Sequence, residues 1–286
     1  MLVPRIKEVC LSAGISVAAL AVTLLVGAQA EPNVAPPDFA SSGDMAWYHD
    51  GVNLAPVPNF PGPLRDDPVH RHTDNQGGGQ ANYSIADLSD PNLTQWAKDI
   101  MKKDNDEVLA GKIAFLPHQS CVPAGASMFD MVRGPIPIYF VQSPKEVLII
   151  WPGDHQVRHI YLNVPHSPKP KPSWYGESVG HYEGDWLVVD TIAQDTRTFI
   201  DNFRTPHSDK LHVVERYHLI NGGNMLEAEV TIEDPAAFKT PVRLQMRARK
   251  AQAPDGIIES RCADGESFNP FGQKEEPIPI AAKPDF

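Results

Sequence analysis

The amino-acid sequence predicts an all-β fold, an antiparallel barrel of about eight to nine strands with one N-terminal helix and an extended N-terminal arm. From Pro135 onward, short stretches of β-branched and aromatic residues alternate with turn residues. Two of these stretches, 225–233 and 242–249, alternate between apolar and polar residues, which indicates one buried and one solvated face. The 28 Pro and 20 Gly favour many short elements joined by turns.

Residues 1–30 have the pattern of a signal peptide. A membrane anchor is the alternative, but the apolar run is barely long enough for a span of roughly 20 residues. We expect cleavage after Ala30, export to the periplasm or medium, and no membrane insertion after cleavage. The pattern consists of basic Arg5 and Lys7, the apolar run Ala18–Val26 and the small-x-small site Ala28-Gln29-Ala30.

Composition excludes several classes of partner. The formal net charge of −11 makes nucleic acids and anionic membranes poor partners, so we expect a small-molecule substrate or ligand instead. No dinucleotide fingerprint, phosphate-binding loop or cysteine metal cluster occurs in the sequence, and we therefore expect no cofactor. The sequence gives no indication of oligomeric state.

Cys121 and Cys262 remain after the predicted cleavage. In an oxidising compartment, two cysteines far apart in sequence predict a disulfide. Closing so long a loop would contribute about 5 kcal/mol in the chain-entropy model. A reactive thiol is the alternative, and it needs a thiolate-stabilising environment that the sequence does not reveal.

Residues 31–92 lack any period of two or 3.6 and predict an extended, Pro/Gly-rich arm, partly wrapped on the domain and partly mobile. Within it, His70 and His72 could chelate a metal, although a solvated loop is the favoured interpretation. Residues 93–135 predict a helix and a linker packed on the barrel. The helix covers Leu93 to Ala110, with Thr94 as its cap and Trp96, Ile100 and Met101 at helical spacing.

Residues 136–263 predict the barrel domain, and residues 264–286 a C-terminal tail. Turn signals separate the strands, as in an antiparallel meander, whose edges must be hidden by closure or by a second layer. A lipocalin-like barrel is the first interpretation and a β-sandwich the second; such a barrel is either filled with side chains or holds one small ligand. The candidate strands are Ile136–Val141, Glu146–Trp151, Val157–Leu162, Glu177–Tyr182, Trp186–Ile192, Leu211–Ile220, Met225–Glu233, Val242–Ala248 and Ile257–Cys262.

The polar loop before the strand at Leu211 carries the first candidate catalytic pair. Asp201 could orient His207 and raise its basicity, which would make the imidazole a general base. On the following strand, Glu215 and Tyr217 share a face with apolar residues and are predicted to point inward. A buried carboxylate tends to have a raised pKa and could act as an acid. The alternative is a buried glutamate that an arginine such as Arg158 or Arg197 neutralises.

His155 and Arg158 are candidate substrate-binding residues at a strand mouth, together with Trp151 and Tyr182. Zinc binding by His155 and His159 is disfavoured, because four residues of strand separate their backbones by about 13 Å. A turn histidine and a surface arginine are the alternative interpretation of the first pair.

Four sequence blocks stand out together: SVGHYEGDWLVVDT from Ser178, PHSDKL from Pro206, VERY from Val214 and TIEDP from Thr231. With these blocks, the chain resembles a large, mostly uncharacterised bacterial family of secreted β-rich proteins, over roughly Leu93 to Cys262. This chain has Tyr182 where that family usually has Trp, and Ala193-Gln194 where Phe-Asn is common. By position, the resemblance implies that the polar motif residues are His155, Arg158, Asp190, Asp201, His207, Ser208, Glu215 and Arg216.

These observations predict an exported, cofactor-independent acid–base enzyme acting on a small apolar or aromatic molecule in a barrel cavity. A lyase is the first choice, because no nucleophile motif supports hydrolysis. His207 would be the base, oriented by Asp201, and Glu215 or Tyr217 the acid. The second hypothesis is a lipocalin-like carrier without catalysis, and the third is a divalent-metal site at the histidines.

Overall fold

The structure, a computed structural model, describes residues 35–41, 44–49, 55–70, 85–110, 123–126, 137–152, 156–254 and 256–257, all within the compact unit Ala35–Phe286. Several predictions fall on residues outside these ranges: the signal peptide, the His72 half of the histidine pair, the disulfide between Cys121 and Cys262, substrate binding by His155, and the tail 264–286. Within the described ranges, no helix has the length and hydrophobicity needed to cross a membrane.

The predicted helix is present as α1 (Gln95–Leu109). Thr94 caps it: the Thr94 hydroxyl oxygen accepts from the Ala97 amide at 3.2 Å. Its buried face consists of Ala97, Met101 and Asn105, one residue per turn, whereas Trp96 is 42% exposed. The prediction of the helix is therefore confirmed, but Trp96 does not belong to the packed face.

The rest of the described chain is mostly β. One sheet has the strand order β1-β10-β9-β8-β7-β6-β5-β4-β3, and β2 pairs with β10 beside that path. Its strands are β1 (Met45–His49), β2 (Ala55–Pro56), β3 (Tyr139–Gln142), β4 (Glu146–Trp151), β5 (Gln156–Leu162), β6 (Glu177–Glu183), β7 (Trp186–Ile192), β8 (His212–Ile220), β9 (Met225–Glu233) and β10 (Val242–Gln252).

The two ends of the sheet nearly meet, which makes it barrel-like. Trp47 in β1 and Ile138, just before β3, exchange backbone hydrogen bonds of 2.9 and 2.7 Å. The Ser41 amide also donates to the Phe140 carbonyl at 3.0 Å. Because Trp47 and Ser41 lie in the predicted arm, part of that segment is built into the sheet: β1 and β2 are strands that the sequence analysis did not predict.

The sheet is mixed, not antiparallel throughout. β5 and β6 run parallel, with Ile160 opposite Ser178, while every other pairing between the named strands is antiparallel. Parallel neighbours need a long crossover connection, and residues 163–176 supply it. The prediction of a purely antiparallel barrel is therefore not met at this pair. The predicted last strand, Ile257–Cys262, lies almost wholly outside the described residues.

Two of the three clusters of buried apolar side chains are large. The aromatic core includes Trp47, Phe140, Trp151 and Tyr217. The helix-side core joins α1 to the start of β8, the end of β9 and the start of β10; its buried members are Leu64, Ala86, Leu93, Ala97, Met101, Ile200, Phe203, Leu211, Val213, Val230, Ile232, Ala237, Phe238, Val242 and Leu244. On β8, Glu215 lies between Val213 of one cluster and Tyr217 of the other, so a polar group sits between two apolar clusters.

Candidate functional site

Arg158 and Glu215 form a fully buried ion pair inside the sheet. Their side chains are 0% exposed, and the pair is bidentate: Arg158 Nη1 donates to Glu215 Oε1 at 2.7 Å, and Nη2 donates to Oε2. The alternation of each strand explains their position, because the neighbours of Arg158 and Glu215 two residues along, Ile160 and Tyr217, are also buried. The sequence alternative that Arg158 neutralises a buried Glu215 is confirmed.

Four strands contribute to a larger interior polar network around this pair. The Tyr217 hydroxyl donates to Glu215 Oε1 at 2.6 Å, and Arg158 Nη2 donates to the Thr191 hydroxyl at 2.9 Å. The Ser178 and Thr191 hydroxyls are 2.8 Å apart. Since the guanidinium and the phenol already occupy the oxygens of Glu215, this carboxylate is placed for structure and not as an acid or base.

His207 lies in a separate buried cluster. Its Nδ1 is 2.9 Å from the Ser208 carbonyl, and its Nε2 is 2.8 Å from the Thr198 hydroxyl. A carbonyl can only accept, so Nδ1 carries the proton of the neutral ring, and the single hydroxyl hydrogen of Thr198 is shared between Nε2 and the Asp195 carbonyl, 2.9 Å away. Burial lowers the pKa of His207, although the Ser208 carbonyl and the negative charge of Asp234 oppose that shift.

Asp201 closes its own turn. Its carboxylate accepts from the Phe203 amide at 2.9 Å, the Thr205 amide at 3.2 Å and the Thr205 hydroxyl at 2.8 Å. Burial raises the pKa of Asp201, and these hydrogen bonds oppose the rise. Asp201 and His207 both belong to the described chain, and no hydrogen bond joins them. Asp234 supports the histidine loop instead: it accepts from the Ser208 hydroxyl at 2.9 Å.

The predicted substrate-binding residues are dispersed. Trp151 is buried in the aromatic core, and Tyr182 packs against that core. The Tyr182 hydroxyl accepts from Gln142 Nε2 at 2.8 Å, and burial raises the pKa of Tyr182. Arg158 belongs to the interior network. The structure therefore does not bring these residues together with His207 around an open cavity.

The sequence analysis also missed a segment that packs on the histidine cluster. The Ala126 amide donates to Gln194 Oε1 at 3.0 Å, and Gln194 Nε2 donates to Thr198 at 2.7 Å, next to His207. Gly125 has a φ of +97°, and a Cβ there would lie 2.6 Å from Gln194 Nε2. Only glycine allows this approach without displacing the amide. The one local sign was the glycine in the sequence Pro123-Ala-Gly-Ala126.

A cavity of about 650 Å³, the arm-side cavity, lies elsewhere, at the helix-side end of the sheet. Its walls come from the arm segment 56–65, the segment 87–92, the loop 200–203 and the ends of β9 and β10. The apolar lining residues are Pro56, Phe60, Pro61, Pro63, Leu64, Pro91, Ile200, Phe203, Ile232, Phe238, Val242 and Leu244, and the others are Gly62, Arg65, Asp87, Ser89, Asp90, Asn92, Asp201 and Asn202.

Local turns fix the polar groups of this cavity. Asp87 Oδ1 accepts from the Ser89 amide at 2.9 Å, and Asp90 Oδ1 accepts from the Asn92 amide at 2.7 Å. With Asp201, the lining carries three carboxyl groups and a single cationic side chain, Arg65. Of the predicted site residues, Asp201 is the one that lines this cavity.

The arm reaches the cavity through a tight bend. At Gly62 a Cβ would lie 2.6 Å from the Cβ of Pro56, so a larger residue would push the two limbs of the bend apart. The Arg243 amide donates to the Pro61 carbonyl at 2.9 Å and ties the bend to β10. Pro61-Gly62-Pro63 is typical of a loop, and nothing local shows that it lines a cavity.

No protein-family model, curated protein or solved structure matches this chain. The resemblance to secreted β-rich proteins therefore stays a prediction. Within the described part of the chain, no group of three or more His, Cys, Asp or Glu side chains is arranged to hold a metal ion.

Proposed function

We propose that this protein is a lipocalin-like carrier that binds one small, largely apolar or aromatic molecule in the arm-side cavity. The observation that carries the proposal is the cavity itself: about 650 Å³, with an apolar floor and a few fixed polar groups. Ligand sites typically have volumes of about 300–1,000 Å³ and this kind of lining. Export through the predicted signal peptide belongs to the same proposal.

The floor of the cavity supports an apolar ligand. Ile232, Val242 and Leu244 form the apolar floor, Phe203 and Phe238 add aromatic surface, and Phe60 is 42% exposed at the lining. A ligand that covers this surface gains about 25 cal/mol for each Å² of apolar area removed from water. A single aromatic ring or a short aliphatic chain fits this chemistry.

The charges around the cavity favour a neutral or cationic ligand. Three aspartates and one arginine line it, and the whole chain has a net charge of −11. An anion would therefore meet a repulsive field both on approach and in the cavity. We expect a hydroxyl or amine of the ligand to face Asp87, Asp90 or Asp201.

Acid–base catalysis at the same cavity is the second candidate function. It is favoured by Asp201, whose pKa burial raises and which lines the cavity. A carboxyl group with a raised pKa can act as a general acid once a ligand group replaces one of its two hydrogen bonds from the Thr205 hydroxyl. In this candidate function, Asp201 takes the catalytic role that the sequence predicted for His207 and Glu215 in a lyase.

One experiment separates the two functions. The purified protein is incubated with pooled aromatic compounds and sugars, and both the complex and the released small molecules are analysed by mass spectrometry. A carrier retains a compound of unchanged mass, whereas an enzyme releases a compound of altered mass. In the second case, Asp201→Asn should abolish turnover. Failure to retain or convert any compound would contradict both candidates.

A further inference from the structure

A continuous ladder of carboxylates and imidazoles runs across the outer face of β6 to β9. His166 Nδ1 is 3.0 Å from Glu177 Oε1, and His166 Nε2 is 2.9 Å from Asp190 Oδ1. His212 Nε2 is 3.0 Å from Asp190 Oδ2, and His212 Nδ1 is 3.4 Å from Glu233 Oε2. These five residues form the histidine–carboxylate ladder, in which both nitrogens of each ring contact a carboxylate oxygen.

The hydrogen-bonding capacity of these groups fixes the protonation state that the ladder needs. An ionised carboxylate only accepts, and a neutral imidazole has a single N–H to donate. Two neutral rings would supply two donors for four contacts, and the other two contacts would set a nitrogen lone pair against an anionic oxygen. All four are hydrogen bonds only when His166 and His212 are both imidazolium ions.

The ladder joins a loop to the barrel wall. His166 lies in the crossover connection 163–176, while Glu177, Asp190, His212 and Glu233 lie on the four successive strands β6, β7, β8 and β9. The same Glu177 accepts from the Ser167 amide at 2.7 Å and from the Ser167 hydroxyl.

Few other hydrogen bonds attach this loop to the barrel. The connection 163–176 is described throughout, and between its residues 164 and 172 the hydrogen bonds to the barrel are those of His166 and Ser167. Outside that stretch, the Asn163 amide donates to the Gly180 carbonyl at 2.8 Å, and the Ser173 amide donates to the Ala193 carbonyl at 3.2 Å. The ladder is thus the main attachment of the middle of the loop.

We propose that the histidine–carboxylate ladder is a pH-dependent attachment, which holds the crossover loop on the barrel in mildly acidic solution and releases it in alkaline solution. The proposal is independent of the arm-side cavity, whose lining contains none of these residues.

The direction of the pH dependence follows from the groups that face the rings. Within the described chain, the titratable groups in contact with them are Glu177 from β6, Asp190 from β7 and Glu233 from β9. Burial lowers the pKa of His212, but the hydrogen bonds to Asp190 and Glu233 outweigh it and raise that pKa above its ordinary value. A base with a raised pKa contributes its full stabilisation below about pH 6.5 and loses it as the pH rises through the raised value.

The carboxylates of the ladder resist protonation in mildly acidic solution. The hydrogen bond from the Ser167 hydroxyl lowers the pKa of Glu177. Burial acts against a similar shift at Asp190, yet the hydrogen bonds with His166 and His212 lower the pKa of Asp190 overall. Both carboxylates therefore remain ionised at a pH lower than the one, about 4, at which carboxyl groups ordinarily take up a proton. All four hydrogen bonds of the ladder should form in mildly acidic solution, and some of them should be lost in alkaline solution.

Hydrogen–deuterium exchange of the full-length protein tests this proposal. Protection of the Ser167 amide, which donates to Glu177, is corrected for the intrinsic effect of pH and compared at about pH 6 and about pH 8.5. We expect protection to fall severalfold between these values in the wild type, because the rise in pH removes hydrogen-bond donors from the ladder. In His166→Ala, protection should be low at both values.

His181 provides a matched control. It lies on the same outer face of β6 as Glu177. It contacts a single carboxylate, Glu183, through Nε2 at 2.9 Å. His181→Ala should keep the wild-type pH dependence in the loop. Equal protection at the two pH values in the wild type would overturn the proposal, and so would a pH dependence that survives in His166→Ala.

Discussion

At the scale of single residues, burial decides which predicted catalytic groups are available for chemistry. Glu215 and Tyr217 point inward, as their alternation on β8 predicts, but Arg158 and the phenol occupy the carboxylate. His207 is buried and lies beside Thr198, not beside Asp201. Sequence alternation gave the right face for these residues. It could not show their partners, because each partner comes from another strand or loop.

The buried ion pair predicts a specific pattern of stability. Glu215→Gln should lower the free energy of unfolding by about 3–5 kcal/mol, because it leaves the charge of Arg158 buried without its counter-ion. The double variant Arg158→Met/Glu215→Leu should be more stable than this single variant, since it removes both charges. Urea unfolding measures both effects.

Glu229→Gln is the control for that series, because Glu229 lies on the half-exposed face of β9 opposite Arg216. Its effect should stay within about 0.5 kcal/mol. A Glu215→Gln variant as stable as the Glu229→Gln control would contradict the prediction that buried Arg158 needs Glu215 as its counter-ion.

At the scale of elements, β1 is the strand that completes the sheet. Trp47 is fully buried, and its indole N–H donates to the Phe39 carbonyl at 2.9 Å. Trp47→Ala should cost about 3–5 kcal/mol of unfolding free energy, as for other buried aromatic residues. Trp96→Ala on α1 is the matched control, because that indole is 42% exposed, and it should cost markedly less. Similar losses for the two variants would mean that the arm is not part of the folded core.

β1 also gives the fold a pH dependence. Burial lowers the pKa of His49 to about 4. A base with a depressed pKa costs stability as the pH falls from its ordinary value of about 6.5 toward the lowered value, because the unfolded chain takes up the proton first. The loss should reach up to about 3 kcal/mol near pH 4. His49→Gln should reduce this acid sensitivity in urea unfolding, whereas His159→Gln, on the exposed face of β5, should retain it.

Local signals explain which elements could be predicted. β4, β7 and β9 have the predicted bounds, because each is rich in apolar and β-branched residues and adjoins a clear turn. β1 was missed because its partner, β10, lies some 200 residues later and no turn links the two. The parallel pairing of β5 with β6 was missed for a related reason, since a crossover connection carries no turn signal that distinguishes it from a plain loop.

At the scale of the whole molecule, the fold separates two groups of polar side chains that the sequence could not tell apart. One is the interior network, which is satisfied by its own hydrogen bonds. The other is the lining of the arm-side cavity, which segments about 180 residues apart in sequence build together. Only Asp201 was both predicted and found at the cavity, because no local pattern shows that 56–65 and 200–203 meet.

The most direct test of the central claim is the affinity of the retained compound for a variant in which the cavity mouth is blocked. Ser89 is exposed at the lining, and Ser89→Trp places an indole there; Lys171→Trp adds the same ring on the exposed crossover loop. By titration calorimetry, Ser89→Trp should weaken binding at least about tenfold, equivalent to about 1.4 kcal/mol, and Lys171→Trp should bind as the wild type does. Equal affinity of the two variants would contradict the assignment of the ligand to the arm-side cavity.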